Sequence, residues 1–138
     1  MNSRPSRIFL VEDHPMMLEV VRDFISVMSD LQMCGESSSA EEALEILDMA
    51  APDLVLVDTS LGRMNGIDFV AEVQQRWPGL PCLMLSGHGQ EHYVARALNV
   101  GARGYILKGD PSELPQAIRS VLGGGQYLSP NLRVPGLE

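Results

Sequence analysis

The sequence predicts an α/β fold built on a doubly wound, five-stranded parallel sheet with helices on both faces. Five short apolar runs lack the polar alternation of a half-exposed sheet, and continuous apolar runs are typical of strands covered on both sides. Segments with helical periodicity separate these runs. Such alternation, with right-handed crossovers, places a parallel sheet between two helical layers. The length of 138 residues fits one compact domain.

The first two β-α units have clear start signals. The first predicted strand, residues 8–11, precedes a helix in which Pro15 suits the first turn. The second strand, residues 31–34, precedes a capping-box pattern, Ser-Ala-Glu-Glu, at residues 39–42. The apolar residues on the buried faces of these two helices are Leu18, Val21, Phe24, Ile25 and Met28 in the first, and Leu44 and Leu47 in the second.

The remaining three units follow the same pattern. Strands are predicted at residues 54–57, 80–85 and 104–107. The third helix starts after Asn65-Gly66 and ends before Pro78-Gly79. We expect the fifth to be capped at Ser112, because Pro115 is tolerated only in a first helical turn. The apolar face of the third helix comprises Ile67, Val70, Val73 and Trp77. That of the fourth helix, which ends before Gly101, is thin and comprises Val94, Ala97 and Leu98. That of the fifth helix comprises Leu114, Ile118, Val121 and Leu122.

Composition excludes several classes of function. Ten Lys and Arg against 18 Asp and Glu give a net charge of −8, which argues against nucleic-acid binding by this domain alone and against an anionic membrane surface. No apolar run approaches the ~20 residues of a membrane span, and the N-terminus does not resemble a signal peptide. Two cysteines, Cys34 and Cys82, are expected to be free thiols on separate strands, and a cytoplasmic setting follows.

The same sequence suggests domain boundaries. We expect residues 1–6 to form an N-terminal leader, residues 7–125 to form the folded domain, and residues 126–138 to form a C-terminal tail or the start of a linker.

Acidic residues follow two strands that should be neighbours. With the flavodoxin-like strand order 2-1-3-4-5, ligands bind where the order reverses, between the first and third strands. Glu12 and Asp13 end the first strand, and Asp58 ends the third. Crowded carboxylates repel unless a cation or protons offset their charge, and hard oxygen ligands suit Mg²⁺. The alternative is that such loop carboxylates are merely solvated or cap helices.

A hydroxyl and a cation are predicted at the same edge of the sheet. Ser86 ends the fourth strand and Lys108 ends the fifth. Each has an ordinary explanation, since a serine before Gly87 suits a turn and a lysine can reach water past its apolar stem. With the carboxylates, however, they supply the groups that phosphoryl transfer needs: a nucleophile in Asp58, a metal site, a hydroxyl donor and a positive charge.

Five motifs in this order resemble the receiver domain of two-component response regulators. The motifs are Val-Glu-Asp-His-Pro at residues 11–15, Leu-Val-Leu-Val-Asp at 54–58, Met-Asn-Gly-Ile-Asp-Phe at 64–69, Leu-Ser-Gly at 85–87, and Gly-Ala-Arg-Gly-Tyr-Ile-Leu-Lys at 101–108. The resemblance covers roughly residues 7–125. The Glu-Asp-His-Pro opening and residues 124–130 are similar to the NarL/FixJ-type subgroup, in which a helix-turn-helix DNA-binding domain usually follows.

The resemblance implies a signalling domain that is not an enzyme but assists its own phosphorylation and dephosphorylation. Asp58 would accept a phosphoryl group from a sensor histidine kinase or a phosphotransfer protein. Mg²⁺ would be held by Glu12, Asp13, Asp58 and the backbone carbonyl of Ser60. Phosphorylation would switch an output surface, with a homodimer as one implied outcome.

The resemblance also assigns supporting roles. Ser86 and Lys108 would contact phosphoryl oxygens, and Tyr105 would turn inward as Ser86 moves, although a strand tyrosine can equally be ordinary packing. Ser60 and His88 would tune hydrolysis. Two departures stand out: Gly62 and Gly109 occupy positions where the family commonly has proline. The cis peptide often found after the lysine therefore lacks its usual residue.

Three rival interpretations remain open at this point. A flavin carrier shares the topology, but Glu12-Asp13 would repel a phosphate after the first strand. A haloacid-dehalogenase-like phosphatase would need an Asp-x-Asp pair after the first strand. A phosphate-independent interaction module would not need this set of polar residues. His14 and His92 lack the spacing of a metal site and are predicted to be surface residues.

Overall fold

A parallel sheet lies at the centre of the computed structural model, which describes residues 4–87, 91–130 and 132. The order of its strands is β2-β1-β3-β4-β5-β6. The strands are β1 (Ser6–Val11), β2 (Leu31–Ser37), β3 (Leu54–Asp58), β4 (Cys82–Ser86), β5 (Gly104–Leu107) and β6 (Tyr127–Leu128). The helices are α1 (Pro15–Ser26), α2 (Ala40–Ala50), α3 (Gly66–Arg76), α4 (Glu91–Asn99) and α5 (Leu114–Leu122). The predicted doubly wound α/β fold is confirmed.

Two hydrophobic cores cover the two faces of the sheet. In β1, Phe9 and Val11 pack in one core while Ile8 and Leu10 pack in the other, because successive strand residues point to opposite faces. The first core includes the buried faces of α2, α3 and α4, and the second includes those of α1 and α5. Because both faces are covered, β3 and β4 are buried along their whole length, and β1 and β5 along most of theirs, as the apolar runs indicated. Strand β2, at the edge of the sheet, is mostly half-exposed.

Side-chain caps fix where the helices begin. The Ser39 hydroxyl accepts a hydrogen bond from the backbone N–H of Glu42 at 3.1 Å, which confirms the predicted start of α2. Asn65 caps α3 in the same way, accepting from the N–H of Asp68 at 2.9 Å. The α5 prediction was wrong in detail. A 3₁₀ turn at Pro111–Glu113 comes first, capped by the carboxylate of Asp110, so that α5 starts only at Leu114.

The predicted number of strands was also wrong, because the sheet has a sixth, edge strand. Tyr127 and Leu128, assigned above to the tail, pair in parallel with β5 as β6. Glu113 secures this strand: its carboxylate accepts hydrogen bonds from the Tyr127 and Ser129 hydroxyls, each at 2.9 Å. Ser129 in turn accepts a hydrogen bond from the N–H of Leu107 at 3.0 Å. Side chains distant in sequence therefore hold a strand too short to predict from its own residues.

The remaining fold-level expectations concern thiols and membranes. Cys34 and Cys82 are free thiols, as predicted, and burial raises the pKa of Cys82 to about 12. Among the helices of residues 4–87 and 91–130, none is long and apolar enough to span a membrane.

Candidate functional site

The parallel strands bring four predicted site residues to one edge of the sheet. Asp58 is the last residue of β3 and pairs with Leu85, while Ser86 pairs with Leu107. Glu12 and Lys108 come directly after β1 and β5. Because all these strands run the same way, their carboxyl ends meet where the strand order reverses between β1 and β3.

Lys108 links the two buried carboxylates. Glu12 and Asp58 are fully buried, whereas Asp13 is more exposed. The Lys108 ammonium lies 3.1 Å from Glu12 Oε1 and 3.2 Å from Asp58 Oδ1. The backbone N–H of Ser60 donates a second contact to Asp58 Oδ1, at 2.9 Å. A positive charge and a directed dipole thus hold one oxygen of Asp58.

Two buried carboxylate oxygens accept no hydrogen bond from any residue that the structure describes. They are Glu12 Oε1, whose contact with Lys108 is an ion pair only, and Asp58 Oδ2. An unsatisfied buried carboxylate oxygen is costly, so such atoms mark a place for a cation. The acidic residues therefore fit a hard divalent metal ion, with Glu12, Asp13 and Asp58 offering oxygen ligands.

Burial and crowding change the acidity of Asp58. Its pKa is raised, first because burial disfavours the charged form and then because of the neighbouring Glu12. The Ser60 N–H and the Lys108 charge act in the opposite direction. The cluster thus resists carrying its full negative charge, which is what a bound cation would relieve.

His14 lies in this cluster, which the sequence analysis missed. The side chain is 60% exposed, as a surface residue should be, but its Nδ1 lies 2.8 Å from Glu12 Oε2 and 3.2 Å from Asp13 Oδ1. The hydrogen bond with Glu12 raises the pKa of His14, and the Lys108 charge partly opposes this. The sequence feature that could have placed His14 in the cluster is its position directly after the Glu12-Asp13 pair.

A buried hydroxyl network lies beside the carboxylates. Ser86 Oγ accepts hydrogen bonds from the Tyr105 hydroxyl at 2.9 Å and from Thr59 Oγ1 at 2.8 Å. All three side chains are buried, and burial raises the pKa of Tyr105. Tyr105 is thus directed inward and joined to Ser86. Thr59 was not identified from the sequence, because its partner lies on a neighbouring strand.

An open groove gives access to this edge of the sheet. Its volume is about 530 Å³, and Ser60 and Lys108 line its polar side. Met16, Met17 and Val20 of α1 supply an apolar wall. His88, the predicted modulator of hydrolysis, lies outside the described residues.

The two departures from the family pattern do not reflect a lack of space. A Cβ added at Gly62 or Gly109 would meet nothing within 4 Å. The peptide bonds of the described residues are all trans, that after Lys108 included. Gly66 is different, because a Cβ there would lie 2.1 Å from the carbonyl oxygen of Asp58. Its N–H donates to the Thr59 carbonyl at 3.2 Å, which draws the loop against the end of β3.

We expect Gly66→Ala to lower the free energy of unfolding by about 1–3 kcal/mol, because the added methyl group forces the loop away from Asp58. Gly62→Ala, in the same loop, is the matched control and should change stability by no more than about 0.5 kcal/mol. Urea unfolding of both variants measures the difference. Equal stabilities for the two variants would contradict the required close approach at Gly66.

Comparison with known proteins identifies the family. The model of the response regulator receiver domain matches residues 8–119. The nitrate/nitrite response regulator protein NarL of Escherichia coli K12 is 33% identical over 93% of this chain and 60% of its own length. The transcriptional regulatory protein DegU of Brevibacillus brevis is 30% identical over 95% of the chain and 56% of its own length. The chain therefore spans little more than half of these relatives.

Solved structures agree with the sequence relatives. A two-component response regulator of the LuxR family from Aurantimonas sp. SI85-9A1 superposes with a TM-score of 0.89 at 32% identity, covering 93% of this chain and 92% of that one. The isolated receiver domain of RcsB from Salmonella enterica serovar Typhimurium shares the fold, with a TM-score of 0.85 at 18% identity over 92% and 95% of the two chains. The chain belongs to the receiver domains of two-component response regulators, in the subgroup that includes NarL.

Proposed function

We propose that the chain is a Mg²⁺-dependent phosphoacceptor domain in which Asp58 takes a phosphoryl group from a sensor histidine kinase or a phosphotransfer protein. The observation that carries the proposal is the state of Asp58 itself. Its carboxylate is buried beside Lys108, and its Oδ2 accepts no hydrogen bond from the described residues. That oxygen is available as a nucleophile.

The transfer exchanges one bond for another. A carboxylate oxygen of Asp58 forms a bond to phosphorus as the bond between phosphorus and the donor's imidazole nitrogen breaks, and the electron pair stays on that nitrogen. The product is an acyl phosphate. Lys108 and the Ser60 N–H favour the ionised form that attacks, against burial and Glu12, which raise the pKa of Asp58. Lys108 then pairs with an oxygen of the transferred group.

Glu12, Asp13 and Asp58 are the side chains proposed to hold Mg²⁺, with the backbone carbonyl of Ser60 as a further ligand. When bound, the ion neutralises charge on the phosphoryl oxygens during transfer. Glu12 Oε1 supports this assignment because it is buried and lacks a hydrogen bond within the described part of the chain.

Ser86 and Tyr105 are proposed to report phosphorylation to the surface. A phosphoryl oxygen on Asp58 would compete for the Ser86 hydroxyl, which now bonds Tyr105 and Thr59. Tyr105 lies in β5, between α4 and α5. Helix α4 buries only Val94 and Ala97, which are smaller than the Val21 and Ile25 that α1 buries. We therefore expect α4 to shift most easily and to form the output surface with β5 and α5. Ser60 and His88 remain proposed modulators of hydrolysis.

We propose a cytoplasmic regulator whose full-length form acts on transcription. NarL and DegU are about 1.7 and 1.8 times as long as the segment matched in each, since that segment covers 60% and 56% of them. One RcsB structure is described as two dimers bound to two parallel DNAs. By analogy, a further domain would supply DNA binding, and phosphorylation would promote a homodimer. The net charge of −8 agrees with a domain that does not bind DNA itself.

Acetyl phosphate tests the proposal without a cognate kinase. With Mg²⁺, the protein should gain one alkali-labile phosphoryl group, and a chelator should prevent the gain. Intact-mass spectrometry before and after brief alkaline treatment measures both. Failure to gain the group with Mg²⁺, or equal uptake with chelator, would overturn the proposed chemistry.

A further inference from the structure

We propose that His14 supplies a nitrogen ligand to the acidic site, so that the site binds Zn²⁺ in preference to Mg²⁺ and Zn²⁺ opposes phosphorylation of Asp58. This inference rests on the metal site of the proposed function and adds a residue that determines metal specificity. Oxygen ligands alone suit Mg²⁺, whereas imidazole nitrogen combined with carboxylates suits Zn²⁺.

Apart from a hydrogen bond with Glu12, the distances around His14 are close to those between ligands of one metal ion. Its Nδ1 lies 2.8 Å from Glu12 Oε2, 3.2 Å from Asp13 Oδ1 and 3.5 Å from Asp58 Oδ2. With metal–ligand bonds of about 2.1 Å, two ligands lie about 3.0 Å apart at a right angle and about 3.4 Å apart at a tetrahedral angle. One atom from each of the four residues lies within 4.8 Å of the other three, so ion binding would draw these side chains slightly closer together. Four ligands complete the coordination that Zn²⁺ prefers.

The buried oxygens give an independent indication of a cation. Glu12 and Asp58 are fully buried, yet Glu12 Oε1 and Asp58 Oδ2 receive no hydrogen bond from residues 4–87, 91–130 or 132. Hydrogen bonds among the described residues therefore leave these two carboxylate oxygens unsatisfied. His14 is positioned toward it by its backbone, since its N–H donates to Glu12 Oε2 at 3.1 Å and Pro15 begins α1 immediately afterwards.

The ammonium group of Lys108 competes with a metal ion for the acidic cluster. Lys108 Nζ lies 3.4 Å from His14 Nδ1 and within 3.2 Å of both buried carboxylates. A bound dication would displace this ammonium from the centre of the cluster. Zn²⁺ would take Asp58 Oδ2, the proposed nucleophile, as a ligand together with His14. With four protein ligands, it would also have no open position for a phosphoryl oxygen of the donor, so it would block the attack on phosphorus.

A different role for His14 predicts the opposite result. If a protonated imidazole merely supplies a cation to the carboxylates, it competes with every metal ion, and its removal should strengthen the binding of Mg²⁺ and Zn²⁺ alike. If His14 is a ligand, its removal should weaken the binding of Zn²⁺ and leave that of Mg²⁺ nearly unchanged. The two roles therefore differ in sign.

Calorimetric titration of untagged protein with zinc chloride or magnesium chloride separates these roles. We expect His14→Gln to weaken Zn²⁺ binding at least about tenfold, since even outer-shell partners change metal affinity by about 10–100-fold. His92→Gln is the matched control, because His92 is an exposed histidine on α4. The control should bind both ions like the wild type. In histidine-selective NMR, Zn²⁺ should shift the ring nitrogens of His14 and leave those of His92 in place.

The outcomes distinguish this inference from the proposed function. Unchanged Zn²⁺ affinity in His14→Gln, tighter binding of both ions, or an equal loss in His92→Gln would overturn the role of His14 while Mg²⁺-dependent phosphorylation stands. Wild-type protein that binds neither ion would overturn the metal site itself. Acetyl phosphate reactions with Mg²⁺ should slow when Zn²⁺ is added to the wild type, and much less so in His14→Gln. Equal inhibition of both would also count against His14.

Discussion

Asp58→Asn should abolish phosphoryl uptake from acetyl phosphate, not merely slow it. The amide lacks the negative charge of the nucleophile, and the acyl phosphate forms only on a carboxylate. Intact-mass spectrometry after incubation with acetyl phosphate and Mg²⁺ should show one added group on the wild type and none on the variant.

Asp23→Asn is the control for the loss of a negative charge. Asp23 is exposed on α1, away from the carboxyl ends of the strands, so its replacement should leave uptake unchanged. A circular dichroism spectrum identical to that of wild type would show that Asp58→Asn is folded. If Asp58→Asn still gained the group, the nucleophile would be another residue, and Glu12 and Asp13 would be the first to replace.

The ends of strands made the site predictable from sequence. Continuous apolar runs located β1, β3, β4 and β5 to within two residues, and parallel strands bring the residue after each run to one edge. Glu12, Asp58, Ser86 and Lys108 could therefore be grouped without any knowledge of their distances. What the sequence could not provide was which oxygens would lack partners, because that depends on the rotamers of Lys108 and His14.

Features that depend on contacts between distant residues were missed. Strand β6 has only two residues, and it is secured by Glu113 and Ser129, which lie on opposite sides of α5 in the sequence and meet only in the folded structure. Thr59 follows Asp58 directly, but its importance arises from a hydroxyl 27 positions away. His14 was judged by the spacing of histidines along the chain, whereas its neighbours in the cluster come from two different strand ends. Local pattern cannot reveal such pairs.

The crowded carboxylates should also control stability. Two negative charges at about 4 Å and an effective dielectric near 20 repel by up to about 4 kcal/mol, before Lys108 and solvent offset part of this. In chelator, Asp58→Asn should therefore unfold at a higher temperature than wild type. Mg²⁺ at 100 times its dissociation constant should add about 2.7 kcal/mol to wild type, because the ligands are assembled only in the folded state, and it should add less to Asp58→Asn.

The pH dependence of this difference has a definite sign. Because the pKa of Asp58 is raised, the folded state keeps its proton to higher pH than the unfolded chain does. Metal-free wild type therefore loses stability as pH rises from the ordinary aspartate pKa through the raised one, and Asp58→Asn does not. The difference in stability between Asp58→Asn and wild type should therefore grow over this pH range and stay constant above it.

Thermal melts of both proteins and of Asp23→Asn, with chelator and with Mg²⁺, measure this difference in stability. The Asp23 variant should behave like the wild type. If Mg²⁺ leaves the wild-type midpoint unmoved, the carboxylates of Glu12, Asp13 and Asp58 do not form a metal site.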